Sequence, residues 1–303
     1  MNLESLTFNE KSMLAASPTT SPEVLSKLAG DDDILIRGEV ASNPNCHIEL
    51  LSTLASDALW QIRASAADNK NLPLVILEKL SLDETRTVRA NVAKNPACPP
   101  SLLRTLGRDS AQLVRGVVAS NPNCPIELLL TLANDAQWTV RANAADNKNL
   151  PLGTLEKLSL DDERTVRANV AKNPACPPSL LKTLGDDIVS DVRRAVAENA
   201  GTPIRLLADM LVDDDDGVCL VAILSLGNMD AAAYARTLSE GLGLSTSIGP
   251  IGHQKQFGEA LLDAGLTDAY QHIQAAEMAN KIRDRLIEAP DAAETIQISK
   301  MRM

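Results

Sequence analysis

The sequence predicts an all-α solenoid, a stack of two-helix repeats in which each repeat packs only against its neighbours. A 26-residue period runs through most of the chain without an insertion or deletion. Residues that start or stop helices recur at fixed positions of this period. The chain has only two Trp, two Tyr and two Phe, so the core must consist of Leu, Val, Ile and Ala, which suit thin layers of short helices.

Repeat positions are numbered from a Val/Ile–Arg pair that opens each unit. The seven main units begin at Ile36, Ile62, Val88, Val114, Val140, Val166 and Val192. A weaker unit starts at Glu10 and an eroded one at Val218. We therefore expect the solenoid over residues 10–227 and a non-repeat C-terminal helical segment over residues 228–303 that caps the stack.

The first helix of each unit is predicted from an Asp that occupies position 22. Asp is a favoured N-cap because its carboxylate accepts from free N–H groups of the first turn. A helix should therefore start at position 23 and continue through the Val–Arg pair, with apolar positions 1, 5 and 6 on one face. The Asp residues are Asp31, Asp57, Asp83, Asp109, Asp135, Asp161, Asp187 and Asp213.

The end of this helix is predicted at position 8, which is Asn in all seven main units. Pro follows directly in four of them and forces the Asn toward an extended backbone. A second Pro at position 12 or 13 is well placed to open another helix, which carries Leu at positions 16 and 19. The Asn residues are Asn43, Asn69, Asn95, Asn121, Asn147, Asn173 and Asn199.

Arg stands at position 2 of every main unit, from Arg37 to Arg193. Seven stacked guanidinium groups could form a phosphate track, or each could neutralise an Asp and bridge two layers. We favour the bridging role because the Arg and Asp residues match unit for unit. The Asn residues are expected to satisfy backbone groups. Cys46, Cys98, Cys124 and Cys176 share position 11 and are expected to be small buried residues.

The pattern D-x(4)-[VI]-R-x-x-[VA]-A-x-N-P followed by P-x-x-L-L-x-x-L resembles the bacterial leucine-rich repeat variant and is similar to HEAT repeats. The resemblance covers roughly residues 10–217. It implies a right-handed superhelix of paired helices and no activity beyond protein binding. Some proteins of that family carry an amino-terminal iron–sulfur module ligated by cysteines. This chain has no Cys before Cys46, so the cofactor is not carried over.

Residues 36–113 and 114–191 are near copies, with 59 of 78 aligned positions identical. Three units were thus duplicated together. A scaffold with interchangeable layers tolerates such growth, whereas an enzyme site built from unique residues seldom would.

Positions 4 and 7 of the first helix are expected to face a concave groove, as in HEAT repeats. They form a polar stripe of mixed charge that repeats every three layers. The alternatives are a recognition surface and an ordinary solvated face. The candidate partner-binding residues of this stripe are Asp68, Asn91, Lys94, Asp146, Asn169 and Lys172. Trp60 and Trp138 at position 25 could anchor a partner, although packing across the turn is the favoured alternative.

The C-terminal segment is predicted to hold helices near 228–241, 255–266 and 268–288, separated by a Gly-rich turn. Gly241 and Gly243 are followed by Thr246 where a dinucleotide fingerprint needs a third Gly. His253 and His272 lack the spacing of a metal site. The sequence therefore predicts no catalytic residues, no metal site and no cofactor.

Charge and hydropathy restrict the partners. The net charge is −11, which disfavours nucleic acid because phosphate binding needs an excess of Lys and Arg. No secretory signal or run of about 20 apolar residues is visible, so a cytoplasmic protein without a membrane partner is expected. We predict a non-enzymatic protein–protein interaction scaffold whose concave polar surface binds an unknown protein or peptide. The alternatives are a HEAT-like nucleic-acid-binding protein and an activity confined to the C-terminal segment.

Overall fold

The computed structural model describes residues 3–250 and 252–288. They divide into two compact units, one within residues 1–175 and the other within residues 176–303, and each unit is described by itself. The predicted boundary between residues 227 and 228 stays a prediction.

The first unit consists of helix pairs that repeat every 26 residues, preceded by a 3₁₀ turn at Leu3–Ser5. The first helices of the pairs are α1 (Phe8–Ala16), α3 (Ile34–Ser42), α5 (Trp60–Asp68), α7 (Arg86–Lys94), α9 (Gln112–Ser120), α11 (Trp138–Asp146) and α13 (Arg164–Lys172). The second helices are α2 (Pro22–Leu28), α4 (Ile48–Leu54), α6 (Leu74–Leu80), α8 (Pro100–Leu106), α10 (Ile126–Leu132) and α12 (Leu152–Leu158). The predicted helical repeat is confirmed.

The second unit continues the same pairing and then departs from it. Its repeat helices are α14 (Pro178–Gly185), α15 (Ser190–Glu198), α16 (Ile204–Met210) and the longer α17 (Asp216–Gly227). The elements that follow are α18 (Ala231–Thr237), a 3₁₀ turn at Leu238–Glu240, α19 (Phe257–Asp263) and α20 (Thr267–Glu288).

Within the first unit, successive first helices pack closely against one another, and each second helix packs on the first helices next to it in the chain. Small residues permit this stacking: Ala at position 6 is fully buried in every repeat from Ala41 to Ala171. Each second helix contributes Leu at positions 16 and 19, as with Leu103 and Leu106, which are at most 2% exposed. The core is thus the aliphatic layer between the two rows of helices, as predicted.

The helix ends agree with prediction at position 8 and differ from it at position 22. Each Asn at position 8 is an extended C-cap; Asn95, for example, has φ −60° and ψ 128°. The first helix begins at position 25, three residues after the Asp rather than one. The Asp carboxylate instead accepts from the N–H two residues later, as Asp109 does from Ala111 at 2.8 Å. The expected N-cap role is therefore wrong for this Asp, which closes an Asx turn before the helix.

A short antiparallel hairpin in the second unit departs from the expectation of an all-helical chain. Strand β1 (Ser247–Ile248) pairs with β2 (Lys255–Gln256), with Ile248 opposite Lys255. The positive φ of Gly249 and Gly252, 88° and 96°, is a left-handed conformation that glycine adopts without strain. The loop predicted to be a turn therefore contains a small hairpin.

The hairpin and the last helices share a core in the second unit. Phe257, Leu242, Ile248, Leu261 and Ile273 are fully buried in it. The hydroxyl of the buried Tyr234 donates to the carbonyl of Leu226 at the end of α17. The sequence after the repeats therefore packs on the end of α17, which agrees with the predicted helical cap. Residues 289–303 of the predicted C-terminal segment lie outside the described residues.

Candidate functional site

The Arg residues at position 2 bridge successive turns of the first unit. Arg115 donates from Nε and Nη2 to the two carboxylate oxygens of Asp135, at 2.7 and 2.9 Å. Its Nη1 donates to the backbone carbonyls of Asp109 and Ser110 in the preceding turn, at 2.8 and 3.1 Å. The carboxylate partner lies 20 residues after the Arg, while the Asp six residues before it supplies a backbone carbonyl.

The pairing of an Arg with the Asp 20 residues later recurs in both compact units, through two hydrogen bonds in each pair except Arg37–Asp57, which has one at 3.3 Å. The Arg–Asp pairs are Arg37–Asp57, Arg63–Asp83, Arg89–Asp109, Arg115–Asp135, Arg141–Asp161 and Arg193–Asp213. Hydrogen bonds from Arg115 lower the pKa of Asp135 against the opposing effect of burial. Burial alone would raise the pKa of Asp109, but hydrogen bonds from Arg89 and Ala111 lower it overall. The predicted bridging role is confirmed, and these guanidinium groups are committed to carboxylates rather than open to phosphate.

The Asn residues at position 8 tie each repeat to the one before it. The Nδ2 group of Asn95 donates to the carbonyls of Ala67 and Asn69, at 2.7 and 3.0 Å. Its Oδ1 accepts from the N–H of Ala97 at 2.8 Å. Asn95 is fully buried, so its amide satisfies backbone groups that water cannot reach. The expectation that the Asn residues satisfy the backbone is confirmed.

The eroded repeat that begins at Val218 makes two of these contacts through other side chains. Cys219 stands at position 2, and its Sγ contacts the carbonyl of Asp213 at 3.3 Å, the carbonyl six residues earlier that an Arg would contact. Ser225 stands at position 8 and donates to the carbonyl of Ala197 at 2.7 Å, as an Asn would. The erosion therefore removed the carboxylate bridge and kept the link between layers.

The four cysteines at position 11 of the repeats are buried and form no disulfide. Cys46, Cys98, Cys124 and Cys176 are buried, and Cys219 is half-buried. Burial raises the pKa of Cys98 and of Cys124 to about 11. These thiols are therefore small apolar groups of the core at neutral pH.

The predicted stripe lies along the stacked first helices of the first unit. Side chains at position 7 are exposed in every layer from Ser42 to Lys172, and those at position 4 are half-buried from Glu39 to Asn169. Along position 7 the residues read Ser, Asp, Lys, Ser, Asp, Lys. Lys94 pairs with Asp68 of the preceding layer at 3.1 Å, with side chains 66% and 45% exposed. Such an exposed pair contributes little to stability, so both groups are available to a partner.

Two stripe residues have a structural role. Asn91 donates to the carbonyl of Ala64 at 2.9 Å, and Asn169 donates to the carbonyl of Ala142 at the same distance. Each bond joins position 4 to position 3 of the preceding first helix. Asn91 and Asn169 therefore hold neighbouring layers together, while Asp68, Lys94, Asp146 and Lys172 present their charges to solvent.

Trp60 and Trp138 are the first residues of α5 and α11. Their exposed fractions are 42% and 41%. Each ring is thus partly packed and partly presented to solvent, at the amino-terminal end of a first helix.

A cavity opens on the same face, near the start of the stack. Its volume is about 600 Å³. It is lined by Ala16, Ile34, Leu35, Gly38, Glu39, Ser42, Asn43, Pro44, Gln61 and Ser65. No motif of the sequence predicts this cavity, although Glu39 in its lining is the single Glu at position 4 of the repeats.

The two carboxylate oxygens of Glu39 differ in their hydrogen bonding. Its Oε1 accepts from the hydroxyl of Ser12 at 2.8 Å. Its Oε2 is buried and has no hydrogen-bond partner. Every other buried side-chain nitrogen or oxygen of the described residues has one. One oxygen of this carboxylate is therefore buried and unsatisfied, in a residue that lines the cavity.

Within residues 3–250 and 252–288, no group of three or more His, Cys, Asp or Glu side chains could hold a metal ion. No single helix there is long and apolar enough to cross a membrane, although the bent pair Asp216–Gly227 and Ala231–Glu240 meets the length and composition test together. His272 stacks on Tyr234 with ring centroids 6.4 Å apart.

Comparison with known proteins identifies the repeat. Residues 86–111 match the family described as leucine rich repeat variant, which confirms the resemblance seen in the residues. No curated protein matches the chain. A solved structure described as a leucine-rich repeat variant with a novel repetitive structural motif is 25% identical, with 76% of this chain and 93% of that chain covered and a TM-score of 0.46. The X-ray structure of Escherichia coli YibA is 20% identical, with 73% and 97% covered and a TM-score of 0.46.

Proposed function

We propose that this chain, whose repeats include a leucine-rich repeat variant, is a non-enzymatic scaffold that binds a protein or peptide partner along its stacked first helices. The observation that carries the proposal is a difference between two sets of repeated polar residues. The Arg, Asp and Asn residues at positions 2, 22 and 8 form hydrogen bonds between layers. The charges at position 7 are left exposed and vary with a three-layer period.

The packing supports a concave position for this face. In a curved stack, the elements on the inner side must lie closer together than those on the outer side. Successive first helices of residues 1–175 pack closely along their length, and the second helices pack mainly on the first helices. The stripe would then line the inner side, where an extended or helical partner contacts several layers at once.

The energetic consequence is a distributed interface. Exposed charges at an interface rim mainly change the association rate and its salt dependence. Single substitutions in the stripe should therefore weaken binding only modestly. Trp60 and Trp138, three layers apart and half-exposed, supply apolar contact area that anchors a partner at two points.

The test is a double charge reversal with a matched control. Partners are first captured on the full chain and identified by mass spectrometry. Lys94→Glu with Lys172→Glu should then reduce the association rate of the purified partner and its dependence on salt. The control, Lys79→Glu with Lys157→Glu, makes the same change in charge at exposed position 18 of two second helices. Equal loss in both variants, or loss in the control alone, would contradict the proposed face.

A further inference from the structure

We infer that α17 of one molecule packs against α1 of a second copy of the chain, so that the row of first helices continues from one molecule into the next. The inference goes beyond the proposed function, since it concerns self-association and needs no other protein. Among the described residues, α1 (Phe8–Ala16) is the first of the first helices and α17 (Asp216–Gly227) is the last. Each therefore has one side on which the described residues supply no further first helix.

Within the repeats, neighbouring first helices meet through fixed positions. Position 4 of one helix faces position 3 of the preceding helix: Asn91 donates to the carbonyl of Ala64 at 2.9 Å. Likewise, a Cβ built on Gly116 at position 3 would lie 2.8 Å from Nδ2 of Asn143 at position 4 of the next helix. Ala64 and Ala142 at position 3 are buried. The next first helix in the row therefore covers position 3.

The outer sides of α17 and α1 carry large apolar side chains at these positions. Leu220 stands at position 3 of α17 and Leu224 follows one turn later at position 7, and each is 57% exposed. Met13 stands at position 4 of α1 and is 74% exposed. No other repeat has Leu at position 3 or 7, or Met at position 4. Since terminal repeats of a solenoid need a polar outer face for solubility, these side chains indicate two sides that another apolar surface covers.

A second copy is the occupant because its α1 supplies the position that α17 lacks. By the rule that joins the internal layers, Leu220 at position 3 would face Met13 at position 4 of the next molecule. The unbranched methionine side chain adapts to an irregular apolar surface. A long side chain at position 3 is compatible with stacking, since α15 carries Arg194 there and still packs closely on α17.

The charged bridge between layers is absent from both sides of the proposed junction. Between internal layers, an Arg at position 2 binds the Asp that lies five residues before position 1 of the next repeat. At the junction these places hold Cys219 on α17 and Ser5, five residues before Glu10. Both residues are neutral, so the junction buries no unpaired charge from this bridge. Glu10, one turn before Met13, already accepts from the N–H of Thr7 at 2.8 Å.

The two sides differ, so the contact between them is heterologous and each molecule carries one of each. Such contacts extend past a dimer, into a closed ring or an open chain of molecules.

The experiment measures the mass of the full chain by sedimentation equilibrium from roughly 1 μM to 1 mM. The weight-average mass of the parent chain should rise with concentration. Met13→Glu and Leu220→Glu each place a carboxylate in the junction and should raise its Kd about tenfold or more. Both sites are exposed, and circular dichroism checks that each variant is folded. Leu82→Glu and Leu160→Glu, at two highly exposed leucines of position 21, are the controls and should associate as the parent chain does.

A mixture of the two variants tests which sides meet. Met13→Glu keeps the α17 side and Leu220→Glu keeps the α1 side, so an equimolar mixture should form a dimer and stop there. Met13→Gln and Leu220→Gln should repeat this pattern more weakly, which serves if a glutamate variant fails to fold.

The inference is overturned if the parent chain is monomeric at every concentration or if the mixture is no heavier than its separate components. It is also overturned if Met13→Glu associates as the parent chain does, which would indicate a symmetric contact between two α17 helices. These measurements use only this chain, so their failure is distinct from failure of the charge-reversal test on the proposed face.

Discussion

Arg115→Ala should destabilise the repeats around it far more than an exposed substitution does. The pair it forms with Asp135 is mostly buried, with side chains 17% and 11% exposed. Removal of the guanidinium leaves the carboxylate with the N–H of Gln137 at 2.9 Å and takes a donor from the carbonyls of Asp109 and Ser110. Loss of one partner of a buried pair costs roughly 3–5 kcal/mol, and exposed pairs contribute about 0–1 kcal/mol. The partial exposure places the expected loss at about 3 kcal/mol.

The assay must resolve individual repeats because repeat arrays can unfold in parts. Native-state hydrogen exchange measures the free energy of local opening for each helix. A loss of about 3 kcal/mol corresponds to roughly a hundredfold faster exchange in α9 and α11, with a smaller effect in α3. Arg104→Ala, at an exposed site of the same repeat as Asp109, is the control and should change stability by less than about 0.5 kcal/mol.

The double-mutant cycle separates the pair from the backbone contacts. Asp135→Ala and Arg115→Ala together should cost clearly less than the sum of the two single substitutions, since each single variant leaves a charge unpaired. If Arg115→Ala is no worse than Arg104→Ala, or if the two effects simply add, the bridging account of the Arg and Asp residues is refuted.

Three further outcomes are expected. Asn95→Ala should lower the free energy of unfolding by about 2–4 kcal/mol, because it leaves buried backbone groups unsatisfied; Asn134→Ala, at an exposed amide, is the control, and equal urea midpoints would contradict the prediction. Iodoacetamide at pH 8 should label Cys219 in the native chain before Cys98 and Cys124, whose pKa is about 11; peptide mass spectrometry should show equal labelling only after unfolding. Stability from Asp135 should be fully present above its ordinary pKa of about 3.9 and be lost as pH falls through its lowered folded-state pKa; urea midpoints that stay constant from pH 7 to pH 3 would contradict this.

Much of the fold was predictable from local chemistry. Asn95 before Pro96 ends its helix because Pro excludes the helical conformation of the preceding residue. The Leu residues at positions 16 and 19 are buried as their spacing requires. These features depend on residues close together in the chain. Each recurs every 26 residues, so the same helix-ending and core residues can be recognised in successive repeats.

The differences arise where a distant partner decides the geometry. The Asp at position 22 has the chemistry of an N-cap, but the Arg 20 residues earlier holds both of its oxygens, and the helix starts three residues later. The hairpin at Ser247–Ile248 and Lys255–Gln256 has strands too short to show alternation in the sequence. Glu39 in the cavity lining contacts Ser12, 27 residues away, and the period alone does not reveal that contact.

The central claim is that partners bind the stacked first helices, and a footprint of the bound partner tests it most directly. Hydroxyl-radical footprinting and hydrogen exchange would compare the full chain alone and with its captured partner. Protection is expected at Trp60 and Trp138 and along α5, α7, α11 and α13, which carry the charged residues of position 7. Protection confined to the second helices, or to residues 228–288, would contradict the account.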